Sequence, residues 1–385
     1  MIRVVVLGQG MGASHFSVGV ERIKLGEIEP FGVPLAEYDL GYKISDIEIV
    51  ASYDVDENKV GKTVYDVAEK LVGGSVPIPE SLKKITIRRG VHLGSLRGMP
   101  VKAHGLEEKK GLGEAVDRIL AEWKELEPDV VVNTITTEHG QVFGSPEELE
   151  KAIVENKLES LTATQVYAYI AYLYSKKVKP IAFINAIPVL LANDEAFLEL
   201  CRQSGMIIFG DDCATGATPF TSDLVEHLKE RNRRVRYIVQ YNIGGNTDFL
   251  ALTDSRRNKA KETTKTSVVE DILEYKVPTY IKPTGYLEPL GDRKFVSLNL
   301  EYITFNGLVD EITVNMRIND SPALAGLLVD LVRLAKIALD RRLYGTVYEV
   351  NAFYMKKPGP PGAKAVPRIV AYQKLIAWLN SLIST

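Results

Sequence analysis

The sequence has few of the features that mark secreted, metal-dependent or membrane-bound proteins. Its two cysteines, Cys201 and Cys213, are too few for the disulfide framework of a secreted domain. Its five histidines are scattered without metal-ligand spacing, so we assign them no catalytic role and leave a metal requirement open. The longest uncharged stretch, residues 160–175, is shorter than the ~20 apolar residues that span a bilayer. No signal-peptide pattern precedes the first predicted strand, so we expect a cytoplasmic protein.

An excess of charge of either sign is also absent. The 385 residues contain 47 Lys and Arg against 50 Asp and Glu, a net charge of −3. We therefore expect no nucleic-acid or membrane partner, because neither polyanion would be attracted to the chain as a whole. With 45% hydrophobic and 25% charged residues, the composition is that of a globular protein, and the length suggests more than one domain.

Short buried runs alternate with amphipathic segments over the first half of the chain, which is typical of a parallel α/β sheet. From about residue 234 the pattern changes to longer strands of a mixed or antiparallel sheet, and an amphipathic helix follows over Ser321–Arg342. We therefore predict a discontinuous nucleotide-binding domain of residues 1–210 and 320–385. Residues 211–319 are predicted to be inserted as a second, α+β domain.

The first chemical signal is a glycine-rich turn between a strand and a helix, Val4-Val5-Val6-Leu7-Gly8-Gln9-Gly10-Met11-Gly12-Ala13. Such glycines let the backbone approach a pyrophosphate at the helix N-terminus. Asp54 ends the next predicted strand, where its carboxylate could bind an adenosine ribose and favour NAD over NADP by repelling a 2′-phosphate. The alternative is a tight turn followed by a surface aspartate.

The second signal is a basic run over residues 256–265. If this run begins a helix, Lys261 and Lys265 lie four residues apart on one face, where like charges repel. A solvated basic face is the alternative to a phosphate-binding one, and nothing local decides between them. Asp211-Asp212 and the segment 242–248 end further predicted strands, where α/β sheets bind ligands, although strand-ending turns have the same composition.

These residues together resemble the myo-inositol-1-phosphate synthase family, particularly its bacterial and archaeal branch, over nearly the whole chain. The similar motifs are the glycine turn, Asp54-Val55-Asp56, Asn185-Ala186-Ile187-Pro188, Gly210-Asp211-Asp212, Tyr241-Asn242-Ile243-Gly244-Gly245-Asn246-Thr247-Asp248-Phe249, Lys261-x-x-x-Lys265-Thr266, Gly291-Asp292-Arg293-Lys294, Asp320-Ser321-Pro322 and Tyr354-Met355-Lys356.

The resemblance implies a Rossmann-type parallel-sheet domain, an inserted catalytic and oligomerisation domain, and a homotetramer. It also implies an isomerase of inositol and phospholipid biosynthesis that converts D-glucose 6-phosphate to 1D-myo-inositol 3-phosphate. NAD would be used without net consumption, through oxidation at C5, enolisation, intramolecular aldol closure and reduction.

The resemblance also implies roles for four lysines. Lys261 would transfer a proton at the C5 oxygen of the substrate, with Lys294 nearby. Lys265 and Lys356 would lie at the aldehyde and phosphate end of the substrate. The implied catalytic residues are Lys261, Lys265, Lys294, Lys356, Asn246, Asp248 and Asp292. The implied cofactor-binding residues are Gly8, Gly10, Met11, Gly12, Ala13, Ser14, Asp54, Asn133, Thr134, Asn185, Asp212, Thr215 and Asp320. One departure is Ala214, where family members usually carry a lysine; it leaves room for a related sugar phosphate.

Two other functions fit the same patterns. One is an NAD-dependent sugar-phosphate dehydrogenase that releases NADH, and the other is a non-catalytic NAD-binding protein. Four clustered lysines argue against the second, because their mutual repulsion serves no purpose in a sensor.

The lysine pair gives the first testable prediction. If Lys261 faces a closed site, Lys261→Met should lower turnover by about a hundredfold or more, because the cation acts on developing oxyanions. If the pair lies on a solvated face, stability should change by only about ±0.5 kcal/mol and activity should stay intact. Steady-state kinetics and thermal melts of the variant distinguish the two, and near-normal turnover would contradict the catalytic role.

Overall fold

The computed structural model describes residues 1–383, apart from the side chains of residues 260, 263–267 and 383. Six short strands form a parallel sheet in the order β3-β2-β1-β4-β5-β6, which confirms the predicted α/β class. The last three strands of this sheet are buried along their whole length, as expected when helices cover both faces. The six are β1 (Ile2–Leu7), β2 (Ile47–Asp54), β3 (Ile87–Arg89), β4 (Val130–Asn133), β5 (Ala182–Asn185) and β6 (Ile207–Phe209).

Alternate residues of these strands belong to two different cores. On β1, Val5 packs with helices that lie between β3 and β6 in sequence, whereas Val4 and Val6 pack with the first helix and with C-terminal ones. This alternation follows from the period of two along a strand. The helices of this part are α1 (Met11–Lys24), α2 (Val64–Val72), α3 (Glu107–Lys110), α4 (Leu112–Leu126), α5 (Pro146–Val154), α6 (Ala163–Lys177) and α7 (Glu195–Ser204).

Most of the longest uncharged stretch of the sequence lies in helix α6, which the sequence patterns did not predict. Its apolar residues lie on all sides and are buried, so the helix lacks the amphipathic period that marks a surface helix. A capping box between Thr162 and Gln165 fixes its first turn. Within the described part of the chain, no helix is long and apolar enough to cross a membrane.

The inserted segment forms a second, mixed sheet in the order β10-β9-β7-β8. Three of its strands were predicted; β8 was not, because Pro283 and Gly285 interrupt its pattern, and such residues are tolerated on an edge strand. One face packs against the two longer helices of the segment, and the other is partly exposed. The elements are α8 (Thr218–Glu230), β7 (Arg234–Gly244), α9 (Thr247–Ala251), α10 (Ser255–Leu273), β8 (Thr279–Tyr286), β9 (Arg293–Ile303) and β10 (Val309–Asn319).

The chain then returns to the parallel sheet through α11 (Asp320–Asp340), which packs on α1 and contacts β1, β4, β5 and β6. Helices α12 (Tyr348–Tyr354) and α13 (Arg368–Ile383) complete the chain. The predicted domain boundaries at 210 and 320 remain our proposal. They are supported by the end of β6 at Phe209 and by the packing of α11 on the first sheet.

A buried carboxylate joins α11 to the long connection between α1 and β2. Asp330 accepts hydrogen bonds from the Leu35 amide and the Tyr354 hydroxyl, and it forms an ion pair with Arg333. Arg333 in turn donates to the Leu35 carbonyl. The long insertion that separates Asp54 from the glycine turn is thereby fixed to the core.

Removing this acceptor should destabilise the fold strongly. Asp330→Ala leaves the buried Arg333 guanidinium without its partner, and we expect a loss of about 3–5 kcal/mol in the free energy of unfolding. The matched control is Asp340→Ala, at the exposed end of the same helix, where the ion pair with Lys336 and the hydrogen bond from the Tyr42 hydroxyl should together contribute about 1 kcal/mol. Urea denaturation compares them, and equal losses would contradict the proposed role of Asp330.

Candidate active site

A cleft of about 520 Å³ lies where the carboxyl ends of the first sheet meet the inserted segment. Parallel α/β sheets bind ligands at this edge, near the point where the strand order reverses. Here the reversal falls between β1 and β4. The glycine turn, the end of β2 and three of the predicted lysines all line this cleft.

The glycine turn has the geometry that a dinucleotide pyrophosphate requires. Gly8 has φ +83°, and a Cβ there would lie 2.7 Å from the Ile135 backbone. Gly10 is the N-cap of α1, and no side-chain hydrogen bond caps this helix. A Cβ on Gly10 would have no neighbour within 4 Å. The first turn of α1 also has no acidic residue. The α1 amides are therefore available to an anion, so these residues fit a dinucleotide.

Asp54 lies at the cleft with its carboxylate largely engaged by the protein. One oxygen accepts from the amides of Val55 and Asp56, and the other accepts from the Gln9 amide at 2.9 Å. Lys59 Nζ also donates to this second oxygen, at 3.1 Å. The predicted ribose acid is thus paired with a cation that the sequence analysis did not single out.

The two aspartates after β6 have different surroundings. Asp211 accepts from Asn185 and from the Leu191 and Ala192 amides, and burial raises its pKa to about 6. It therefore holds the loop between β5 and α7. Asp212 has φ +62° and is also buried, and its carboxylate faces the lysines of the cleft.

Asp212 joins two lysines that are far apart in sequence. Lys261 Nζ on α10 donates to Asp212 Oδ1 at 3.0 Å, and Lys356 Nζ donates to the same oxygen at 2.9 Å. Lys261 also lies 4.0 Å from Asp248 Oδ2, whose other oxygen accepts from the Thr137 hydroxyl at 2.7 Å. The basic run does begin a helix, and Lys261 faces the cleft rather than solvent.

The surroundings of the two lysines shift their pKa values in opposite directions. Burial lowers the pKa of Lys356, although the charge of Asp212 acts in the opposite direction. Burial also opposes the charge of Lys261, but Asp212 and Asp248 outweigh it and raise the pKa of Lys261. Lys356 therefore loses a proton more readily than Lys261.

The third lysine, Lys294, is held by a different carboxylate. Lys294 Nζ donates to Asp320 Oδ1 at 2.7 Å. Burial favours the neutral form of Asp320, but Lys294 outweighs it and lowers the pKa of this carboxyl. Next to this pair, Asp292 accepts from Asn246 Nδ2 and from the amide and hydroxyl of Ser321, so it fixes the start of α11.

Several predicted site residues do not line the cleft. Ala13 and Ser14 are buried behind the glycine turn. Asn133 and Asn185 are buried too, and Asn133 donates to Asn185 at the ends of β4 and β5. Their predicted cofactor contacts stay predictions. The Lys265 side chain lies outside the described residues. Those that do line the cleft are Gly8, Gly10, Met11, Gly12, Asp54, Thr134, Asp212, Thr215, Asn246, Asp248, Lys261, Lys294, Asp320 and Lys356.

Ala214, the departure from the family pattern, is buried, and its amide donates to the Tyr354 carbonyl. It does not line the cleft, so a lysine there would need the local packing to change before reaching it. No three described His, Cys, Asp or Glu side chains are grouped so that they could hold a metal ion.

The loop over residues 91–101 also belongs to the site, although no motif or element was predicted there. Residues of this loop line the cleft, and the buried Arg257 of α10 donates to the carbonyls of Ser95 and Arg97. Arg257 lies one turn before Lys261, so the same helix contacts the cofactor-side loop and carries a lysine of the site. No sequence pattern signals a contact between residues 160 positions apart.

Comparison with known proteins gives a family for this arrangement. A crystal structure of a myo-inositol-1-phosphate synthase-related protein from Thermotoga maritima is 56% identical and superposes with a TM-score of 0.93, covering 99% of this chain and 98% of that one. The chain belongs to the myo-inositol-1-phosphate synthase family. The family model for myo-inositol-1-phosphate synthase matches residues 216–321, which contain Lys261, Lys265 and Lys294.

Other members of the myo-inositol-1-phosphate synthase family match over similar lengths. Inositol-3-phosphate synthase of Corynebacterium glutamicum is 29% identical over 98% of both chains. The inositol-3-phosphate synthase structure from Caenorhabditis elegans is 18% identical, with a TM-score of 0.85 over 99% of this chain and 85% of that one, and it supports the fold alone.

Gly216 gives a test of the Lys294–Asp320 pair. Its φ is +67°, and a Cβ there would lie 2.2 Å from Lys294 Nζ and 3.3 Å from Asp320 Oδ1. Gly216→Ala should therefore displace the Lys294 ammonium and lower turnover by about tenfold or more, with about 1–2 kcal/mol of destabilisation from the positive φ. Gly362→Ala is the matched control, since it has φ +83° and no neighbour within 4 Å. Loss of activity in both variants, or in neither, would contradict this reading.

Proposed function

We propose that the protein is an inositol-3-phosphate synthase, which isomerises D-glucose 6-phosphate to 1D-myo-inositol 3-phosphate with NAD as a cofactor that is regenerated in each cycle. The observation that carries the proposal is the pairing of Lys261 and Lys356 on Asp212, in the same cleft as a dinucleotide-type glycine turn. The full-length similarity to inositol-3-phosphate synthases supports it further.

The reaction explains why several cations lie in one cleft. Gly8, Gly10 and Gly12 would hold the dinucleotide, which would supply hydride transfer from the sugar and back to the cyclised product. In between, negative charge develops on the C5 oxygen and then on the C1 oxygen, and the substrate phosphate is negative throughout. Lys261, Lys294 and Lys356, each buried or nearly so, can stabilise these charges more strongly than the same groups in water.

We assign proton transfer to the pair of lysines on Asp212, with Lys356 as the group that gains and loses the proton. Its lowered pKa makes the neutral amine available at a lower pH than for an ordinary lysine, whereas Lys261 stays charged. This modifies the division expected from the sequence, in which Lys261 moved the proton and Lys356 served the aldehyde and phosphate.

The substrate phosphate, on our proposal, binds at the start of α8. This helix begins after Ala217 without a side-chain cap, and its first turn has no acidic residue. Thr215 and Thr218 line the cleft there and offer hydroxyl donors. Lys265 keeps its predicted role at this phosphate.

We propose NAD as the dinucleotide, because Asp54 is at the ribose end of the cleft. We also propose a homotetramer assembled through the open face of the second sheet, where Tyr241 and Tyr280 are more than 40% exposed and contact each other. Aromatic residues of this kind are enriched in interfaces. A cytoplasmic enzyme supplying inositol phosphate for phospholipid synthesis is consistent with two free cysteines.

The decisive experiment incubates the protein with glucose 6-phosphate and NAD⁺. Periodate-sensitive inositol phosphate should form without a net rise in absorbance at the wavelength of NADH. A rise in NADH in step with product would instead indicate a sugar-phosphate dehydrogenase. Binding of NAD without any turnover would indicate a non-catalytic protein, and either outcome would overturn the proposal.

Lys356 gives the prediction that separates a proton-transfer group from a fixed cation. Lys356→Arg keeps the positive charge but cannot lose a proton, so turnover should fall by about a hundredfold or more at every pH. In the unmodified protein, turnover should rise with pH as the neutral amine of Lys356 becomes populated. Lys294→Arg is the control, because we assign Lys294 only a charge, and it should keep the pH profile. A Lys356→Arg variant with a normal pH profile would contradict the assignment.

A further inference from the structure

Lys59 is the one cation that directly contacts the predicted ribose acid among the described contacts. Its Nζ lies 3.1 Å from Asp54 Oδ2, and both side chains line the dinucleotide end of the cleft. Asp54 is nearly buried and Lys59 is about one-fifth exposed, so the pair is partly shielded from water. A charge in this position acts on any group that approaches the Asp54 carboxylate.

The turn after β2 holds Lys59 in this position. The Lys59 amide donates to the Asp56 carbonyl, and the Asp56 carboxylate accepts from the amide and side chain of Asn58. One oxygen of the Asp56 carboxylate is therefore engaged within the turn. Asp66, farther along the cleft wall, accepts from the amide and hydroxyl of Thr63.

Both signs of charge line this end of the cleft, with Lys62 and Lys70 beside Lys59 and with Asp56 and Asp66 beside Asp54. Of the three aspartates, Asp54 is the one that a described ion pair joins to a lysine, whereas Asp56 and Asp66 accept hydrogen bonds from neutral groups. An aspartate without a cation discriminates against NADP because it repels the 2′-phosphate. An aspartate already paired with a lysine repels it less, and the lysine itself attracts it.

We infer that Lys59 is a specificity-determining residue of the cofactor site: it offsets the charge of Asp54 and so lets the ribose end of the cleft accept NADP as well as NAD. This inference deepens the proposed function and rests on its dinucleotide site. Asp54 alone would exclude NADP by repelling its 2′-phosphate. When Asp54 is paired with Lys59, NADP still binds, but more weakly than NAD.

The test compares dissociation constants for NADH and NADPH, measured by nicotinamide fluorescence on the full-length protein and its variants. Lys59→Met should raise the preference for NADH by about tenfold or more, through weaker binding of NADPH, while NADH binds as well as before or better. Lys59→Arg keeps the charge and should restore a preference close to that of the unmodified protein.

Lys62→Met is the matched control, because Lys62 lines the same end of the cleft without a described contact to Asp54. It should change the preference by less than about threefold. Equal weakening of NADH and NADPH by Lys59→Met, or an unchanged ratio, would overturn the inference and leave Lys59 as a structural partner of Asp54. Failure of the unmodified protein to bind either dinucleotide would overturn the proposed function as well, and so is a distinct result.

Discussion

Two lysine ammonium groups, those of Lys261 and Lys356, donate to the same carboxylate oxygen of Asp212, and without that carboxylate two cations would lie buried side by side. Their mutual repulsion and the loss of hydration would each oppose folding. The rest of the site depends on this contact, because it brings α10 of the inserted segment and the segment after α12 to the end of β6. A sugar phosphate entering the cleft meets cations that are already fixed in position, which is what stabilisation of developing oxyanions requires.

The same principle, a carboxylate that fixes a cation, recurs around the cleft with different consequences. Asp320 holds Lys294 from the start of α11, and Asp54 is paired with Lys59 at the opposite, dinucleotide end. On our proposal, the charge of Lys294 in the first pair stabilises the reacting sugar. We infer that the charge of Lys59 in the second pair offsets that of the carboxylate that would contact the ribose, and so acts on the choice of cofactor. The electrostatics of the cleft are therefore set by pairs rather than by single residues.

Much of this could be predicted from the sequence, since the signals are local. The alternation of buried runs and helices predicted the parallel sheet, and the glycine turn predicted the dinucleotide end. The pairing partners could not be predicted from patterns alone, because Lys261 and Lys356 lie 49 and 144 positions from Asp212. Helix α6 was missed for a related reason: a helix buried on all sides has no amphipathic period. Asn133 and Asn185 end strands, as ligand-binding residues often do, yet both are buried and Asn133 donates a hydrogen bond to Asn185.

The central claim is that hydride leaves and returns to the same sugar, so that the protein isomerises its substrate without net oxidation. Glucose 6-phosphate carrying deuterium at C5, incubated with the protein and unlabelled NAD⁺, tests this directly by mass spectrometry of product and cofactor. We expect inositol phosphate that keeps the deuterium, with no deuterium in the recovered dinucleotide pool beyond one equivalent per site. Accumulation of deuterated NADH, or a product that has lost the label, would contradict it.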